Sequence, residues 1–171
     1  MDNLVIRKME YKDIESVANI KVSSWRLSYK GIIDDEYLDN MDINSYIEKR
    51  REDYNKSLYY VAELDGKVVG FSRYDDRLRQ VNGKNIGGEI YALYVDPNMK
   101  RMGIGRALVN RIEEEFKEKG ITSFIIWCLK DNEPSKIFYR KIGGVEFSEK
   151  EIEIGGKNYM ETGFLYNMEE K

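Results

Sequence analysis

Lys100-Arg101-Met102-Gly103-Ile104-Gly105-Arg106 combines three cations with two glycines placed two apart. It follows an almost wholly apolar run, Glu89–Val95, bounded by Gly87-Gly88 and by Asp96-Pro97-Asn98. It opens a stretch in which Ile104, Leu108, Ile112 and Phe116 recur at helical spacing, with Ala107 beside them. Strand, glycine loop and helix in that order suit an anion. The first turn of a helix has N–H groups without intrahelical acceptors and a partial positive charge. Glycine lets the backbone approach a ligand closely. Phosphate or pyrophosphate is the natural guest. A plain strand–turn–helix connection carrying basic surface charge is the other reading of the same residues. The dinucleotide fingerprint would need a third glycine where Leu108 stands, and no Gly-x4-Gly-Lys-Ser/Thr run is present.

The rest of the composition narrows the chemistry. The chain has no histidine and one cysteine. Histidine triads and dyads, histidine-containing zinc sites and thiolate zinc sites are therefore excluded, and no metal is expected. Acid–base work falls to Glu, Asp, Tyr, Lys or the backbone. Cys128 sits inside the apolar run F-I-I-W-C-L with nothing to activate it, and reads as core. A length of 171 residues fits one domain spanning 1–171. A net charge of −3 gives no broad basic field for nucleic acid. The N-terminus is too short and too charged for a signal peptide, and no apolar run is long enough to span a membrane. A single cysteine suits a reducing compartment, so a cytoplasmic protein is expected.

The elements that must position these residues follow from periodicity. Leu4–Lys8 reads as a strand. Ile14, Val17, Ala18, Lys21 and Trp25 share one helical face up to about Ser28, the stem of Lys21 snorkelling from it. A short helix within I-I-D-D-E-Y-L-D-N-M and a polar one from about Ile43 to Asn55 come next, with Lys49-Arg50-Arg51 on a solvated face. Leu58–Leu64 and Lys67–Arg73 form a hairpin about Asp65-Gly66. Residues 75–88 read as a loop or an extended hairpin tip. Glu89–Val95 reads as a strand buried on both faces. Ser123–Leu129 is a second such strand, joined to the first by the helix as a right-handed parallel crossover. Asp131 or Asn132 caps a helix with Pro134 in its first turn, running to about Ile142. Val145–Ile154 and Lys157–Tyr166 close the chain as a hairpin about Gly155-Gly156. The class is α/β, a mixed sheet with helices on both faces.

Two motifs carry a resemblance to the GNAT superfamily of N-acetyltransferases. Lys100-Arg101-Met102-Gly103-Ile104-Gly105 after Leu93-Tyr94-Val95-Asp96-Pro97 resembles the acyl-CoA loop, Gln/Arg-x-x-Gly-x-Gly/Ala, with Lys100 as its one departure. Asn132-Glu133-Pro134-Ser135-Lys136-Ile137-Phe138-Tyr139-Arg140-Lys141-Ile142-Gly143 resembles the family's Asn-x-x-small-x-x-Phe-Tyr-x-x-Leu/Ile-Gly helix. The order of elements resembles that topology over essentially the whole chain. The resemblance implies the acyl-CoA N-acyltransferase fold: a mostly antiparallel seven-stranded sheet whose central parallel pair splays apart. It implies acetyl-CoA as cofactor. The binding positions would be Leu93, Tyr94 and Val95 on the strand, Lys100, Arg101, Met102, Gly103, Ile104, Gly105 and Arg106 in the loop, and Asn132, Ser135 and Tyr139 on the later helix.

The resemblance also distributes the chemistry. Tyr139 is the candidate acid toward a thiolate leaving group, or a ring packed on Phe138. Glu89 is the candidate base. Its separation from Gly103 equals that of the catalytic Glu in the histone-acetylating branch. The other reading is a strand-edge carboxylate paired with Lys or Arg. The Val95 N–H is the expected oxyanion donor. Asn132 either bonds the pantetheine or only caps its helix. Trp25, Tyr29 and Gly31–Tyr37 resemble an acceptor-lining run of a GNAT subgroup, Trp25 otherwise being helix packing against the sheet; Tyr91, on the same side of its strand as Glu89, either faces the acceptor with it or is core. Asp34, Asp35 and Glu36 either attract a cationic amine or form an ordinary helix N-terminus. The expected activity is direct acetyl transfer to a primary amine of a small molecule, such as a polyamine, an amino acid or an aminoglycoside-like amine, without an acyl-enzyme. The alternatives are a protein N-terminal or lysine acetyltransferase and a non-catalytic CoA-binding module. The resemblance allows a homodimer through an edge strand.

Overall fold

The computed structural model describes residues 3–168. Two dipeptides with left-handed backbone set the hairpins of the first half. Asp65 (φ 50°) and Gly66 (φ 78°) form the tight turn between β2 (Leu58–Leu64) and β3 (Lys67–Asp75). Asn82 (φ 49°) and Gly83 (φ 75°) do the same between β4 (Arg79–Val81) and β5 (Lys84–Ile86). Successive positive φ matches the twist of the flanking strands, which is why Asp-Gly and Asn-Gly are favoured there. The segment 75–88 is thus a small hairpin with its own two-stranded sheet.

The main sheet has seven strands in the order β1-β2-β3-β6-β7-β9-β8. Its remaining members are β1 (Leu4–Lys8), β6 (Gly88–Val95), β7 (Ser123–Leu129), β8 (Val145–Ile154) and β9 (Lys157–Asn167). Only β6 and β7 pair in parallel. On one face lie α1 (Ile14–Ser28), α2 (Asp35–Asp39) and α3 (Ile43–Asp53). On the other lie α4 (Ile104–Glu118) and α5 (Glu133–Lys141). The apolar stripe of α4 (Ile104, Leu108, Ile112, Phe116) packs with Tyr60, Ile90, Phe124 and Ile126. On the opposite face Ile14, Val17 and Ile20 of α1 meet Tyr59, Val61 and Phe71. The alternation of Tyr59/Val61 against Tyr60/Ala62 follows from the two-residue period of a strand.

Glu115 ties the far end of α4 to the sheet. Its carboxylate accepts from Tyr60 (2.6 Å) and Tyr74 (2.8 Å) and pairs with Lys8 and Lys119. Burial alone would push its pKa up. Hydrogen bonds from Lys119, Lys8, Tyr60 and Tyr74 outweigh that and bring it down to about 2.

Three expectations need correction. The strand Glu89–Val95 is buried only as far as Ile90, because β6 loses a neighbour beyond that residue, as described below. Arg50 leaves the solvated face of α3: it pairs with Asp53 at 3.0 Å and donates to the Tyr59 hydroxyl. Lys21 does not snorkel. Its ammonium lies over the rings of Trp25 (4.7 Å), Tyr46 (5.2 Å) and Tyr94 (5.8 Å). Smaller differences are that α3 stops at Asp53 before a 3-10 turn, Tyr54–Lys56, and that β3 and β9 run slightly beyond their expected ends.

Candidate active site

β6 and β7 pair only at Gly88↔Phe124, Glu89↔Ile125 and Ile90↔Ile126. The cause is on the other edge of β6. Arg73 faces Ala92 and Tyr74 faces Ile90, so Tyr91 is the extra residue of a β-bulge. A bulge bends its strand and sharpens the twist. Beyond it β6 follows β3, through Ala92 to Val95, while Trp127, Cys128 and Leu129 of β7 stay with β9. A split opens between them.

The register decides which backbone groups face the split. The Asp96 N–H donates to the Val69 carbonyl at 2.8 Å. In an antiparallel ladder such pairs alternate. Tyr94 therefore turns its N–H and C=O toward β3, and Leu93 and Val95 turn theirs away from it, into the split. The Val95 carbonyl accepts from Ser24 Oγ at 3.2 Å, consistent with that direction. Tyr94 brings its side chain instead. Its hydroxyl accepts from Trp25 Nε1 at 2.8 Å and lies 3.4 Å from the Tyr29 hydroxyl. Burial raises the pKa of both tyrosines.

At the mouth of the split stands the N-terminus of α4. Gly103 occupies its N-cap position in the left-handed conformation (φ 78°), and no side chain caps the helix. The first intrahelical bond runs from the Ala107 N–H to the Gly103 carbonyl, so the amides of Ile104, Gly105 and Arg106 precede the ladder. Arg101 also adopts positive φ (65°), which curls the loop into a concave row of amides. A Cβ on Gly103 would meet open space, whereas one on Gly105 would lie 3.3 Å from the Phe138 ring. Gly103 thus serves loop conformation, and Gly105 serves the packing of α4 on α5. Met102 and Arg106 are exposed, and Lys100 Nζ bonds Ser28 Oγ at 3.2 Å. An uncapped, glycine-led helix start beside unpaired strand edges fits a long ligand with a phosphate at one end and amides along its arm.

On the α5 side, Asn132 Oδ1 accepts from the Ser135 N–H at 3.3 Å, so Asn132 caps its helix. Tyr139 is buried against Phe138 and Phe164. Burial raises its pKa well above the ordinary value, reinforced by Cys128, Tyr166, Tyr94 and Glu161. The Cys128 thiol is pushed up to about 12, mainly by burial.

Glu89 is 7% exposed and lies on the α1 face. Its carboxylate pairs with Arg79, which also reaches Asp75 (3.1 Å) and the Tyr91 hydroxyl (3.2 Å). Glu89 and Tyr91 thus do share a side, with a guanidinium between them. Asp34 behaves as an ordinary helix start: it accepts from the Tyr37 N–H and pairs with Lys157. The sequence reading missed Arg73, Arg79 and Glu161. Glu161 faces Leu129 on the rim of the split, and burial raises its pKa. Among the described residues no helix is long and apolar enough to cross a membrane, and no cluster could hold a metal ion.

A central parallel pair that splits beside an uncapped helix N-terminus defines a CoA-dependent acyltransferase scaffold. The sequence matches the Acetyltransferase (GNAT) family over residues 18–144, and the chain belongs to that family. It is 29% identical over 160 residues to the uncharacterized N-acetyltransferase YuaI of Bacillus subtilis, covering 94% of this chain and 91% of that protein. It is 26% identical to a spermidine N(1)-acetyltransferase of Thermoplasma acidophilum, covering 82% of this chain and 88% of that protein. The structure of PaiA N-acetyltransferase from Thermoplasma acidophilum with coenzyme A superposes with a TM-score of 0.65 at 26% identity, covering 92% and 97% of the two chains. That of yncA from Salmonella typhimurium, solved with its cofactor acetyl-CoA, gives a TM-score of 0.69 at 19% identity, covering 99% and 96%. The protein is an acetyl-CoA-dependent N-acetyltransferase.

Proposed function

We propose that this enzyme moves an acetyl group directly from acetyl-CoA to a primary amine of a small molecule. The observation that carries this reading is the closed front of the split. Trp25 and Tyr29 cap Tyr94 from α1. The β8–β9 hairpin then arches onto the α1–α2 segment: Tyr159 OH accepts from the Asp34 N–H at 3.1 Å, Lys157 pairs with Asp34, and Gly155 packs under the Tyr37 ring. These contacts tie the hairpin to the α1–α2 segment and favour a small acceptor over an extended peptide along this edge.

Acetyl-CoA supplies the acyl group as an activated thioester. The amides of Ile104, Gly105 and Arg106, with Lys100 and Arg101 beside them, suit its pyrophosphate. The outward groups of Leu93 and Val95 suit the amides of its arm, and Met102, Asn132 and Ser135 flank it. Tyr139 keeps its proton through the neutral range, because burial holds its pKa high, and so has one to donate to the departing sulfur. Glu89 takes the proton from the amine, through water, since Arg79 occupies its carboxylate. A Cys128 thiol pushed up to about 12 supports transfer without an acyl-enzyme. A homodimer would use the free edge of β1 or β8.

Thiol release from acetyl-CoA over a panel of amines and peptides tests the reading. Turnover of small amines and not of peptides is expected. Peptide-only turnover overturns it.

A further inference from the structure

Two cations on the α1 side of the split have no carboxylate partner among the described residues. The Lys21 ammonium lies over the rings of Trp25, Tyr46 and Tyr94, and among the described residues it makes no hydrogen bond or ion pair. Arg73 lies over the rings of Tyr59 (6.0 Å) and Tyr91 (5.5 Å) and bonds only the Ser57 hydroxyl at 3.2 Å. Their neighbours do not relieve them. Arg50 is matched by Asp53, and Arg79 by Asp75 and Glu89. The charges that Lys21 feels are Arg50, Arg73 and Lys49, all of its own sign. Burial, then these three, lower its pKa to about 8.

Both residues border the split half of β6. Lys21 is one helical turn before Trp25 and shares Tyr94 with it. Arg73 is paired with Ala92, the first residue past the bulge. Aromatic faces stabilise a cation only in part and leave it able to take an anion. A half-buried ammonium without a counter-charge is costly to keep unless something supplies the charge.

We propose that the acceptor carries a carboxylate or comparable oxyanion close to the amine that is acetylated, and that Lys21, with Arg73, receives that group. The inference rests on the small-amine reading above and narrows it to amino-acid-like acceptors. It argues against a polyamine, whose further ammonium groups would meet the like charges of Lys21, Arg73 and Arg50, while Glu161 on the rim is already paired with Lys150 at 3.5 Å.

The test is steady-state turnover of acetyl-CoA with α-, β- and γ-amino acids. Each is paired with the amine lacking its carboxylate, alongside diamines, in wild type, K21M and K21R. The expected result is a kcat/KM at least about 10-fold higher for the carboxylate-bearing member of a preferred pair. That ratio should collapse toward unity in K21M, chiefly through KM, and survive in part in K21R. A preference for bare amines or diamines overturns the proposal. So does an equal loss on both members of a pair in K21M, or turnover of no carboxylate-bearing amine. Small amines turned over regardless of a carboxylate sink this proposal alone, whereas turnover confined to peptides sinks the small-amine reading beneath it.

Discussion

The two ends of the split in the sheet are built differently. At the α4 end the candidate recognition groups are backbone: the amides after Gly103 and the outward N–H groups of Leu93 and Val95. At the α1 end they are side chains drawn from distant parts of the chain: Lys21 and Trp25 from α1, Tyr46 from α3, Arg73 from β3, Arg79 from the small hairpin and Glu161 from β9. A backbone site depends on conformation, so a short run with glycine in one place specifies it. A side-chain site depends on which strands and helices meet, so each member is an ordinary residue until the fold is known. The first end can serve one common cofactor across many relatives, while the second is free to change with the acceptor.

The largest effect is expected from Gly103→Glu. A Cβ there meets open space, so folding survives, but the left-handed φ is strained for Glu by about 1–3 kcal/mol and its carboxylate stands over the anion cradle. Wild type held at about 100 times the dissociation constant of acetyl-CoA gains roughly 2.7 kcal/mol in thermal unfolding. The variant should gain nothing. A wild type that shows no shift would reduce the loop to a structural turn and end the contrast between the two ends.

Tyr139→Phe comes next. It removes one hydroxyl from a buried ring and leaves the cradle intact, so the acetyl-CoA shift should persist while kcat falls by about 100- to 10,000-fold. The raised pKa fixes the sign of the pH dependence. The phenol stays protonated up to and beyond pH 10, so no loss of kcat between pH 7 and 9 comes from Tyr139. An unchanged kcat in the variant makes Tyr139 a packing partner of Phe138 and Phe164 and nothing more.

The same contrast governs what the sequence reveals. The positions of β2, β6, α4, β7 and α5 follow from apolar period and from Asp65-Gly66, Gly103 and Pro134, because each signal is local. The stretch around the equally local Asn82-Gly83 turn reads as a loop or an extended hairpin tip, and of the two it is the hairpin, carrying Arg79, that forms. The split is not local. It needs a bulge at Tyr91, which alternation cannot show, and so the strand reads as buried throughout. Lys21 on an apolar helix face reads as a snorkelling stem, because nothing nearby in sequence reports that Tyr46 and Tyr94 close over it. Glu89 is visible by its spacing, but Arg79, its partner, is not.

Glu89→Gln should lower kcat by about 10-fold, below the roughly 100-fold expected of a base in direct contact, because Arg79 already holds the carboxylate and water relays the proton. Glu161→Gln should cost less. Glu161 also lies within the field of Tyr139 and Tyr94, and burial raises its pKa against the opposing pull of Lys150. Should Glu161→Gln prove the costlier of the two, measured as kcat at saturating acceptor, the base sits on β9 and the acceptor end owes its chemistry to a residue that no motif marks.

The smallest effect is a change in stability, and it separates a binding ammonium from a snorkelling one. Lys21 has a folded pKa of about 8 against an ordinary 10.5. Below pH 8 both folded and unfolded chains hold the proton, so the contribution of the group is constant. Between about 8 and 10.5 the unfolded chain binds it more, and stability rises with pH. Comparing wild type with K21M in denaturant cancels the charges of Arg50, Arg73 and Lys49 and the titrations of Tyr46 and Tyr94 that the two proteins share. The difference should be flat below pH 8 and climb by on the order of 1 kcal/mol toward pH 10.5. A carboxylate-bearing acceptor added with CoA should flatten the climb, because the anion returns the Lys21 pKa toward its ordinary value. A difference that is flat throughout places the ammonium in water, and the acceptor end then has no unmatched charge at Lys21 with which to choose its substrate.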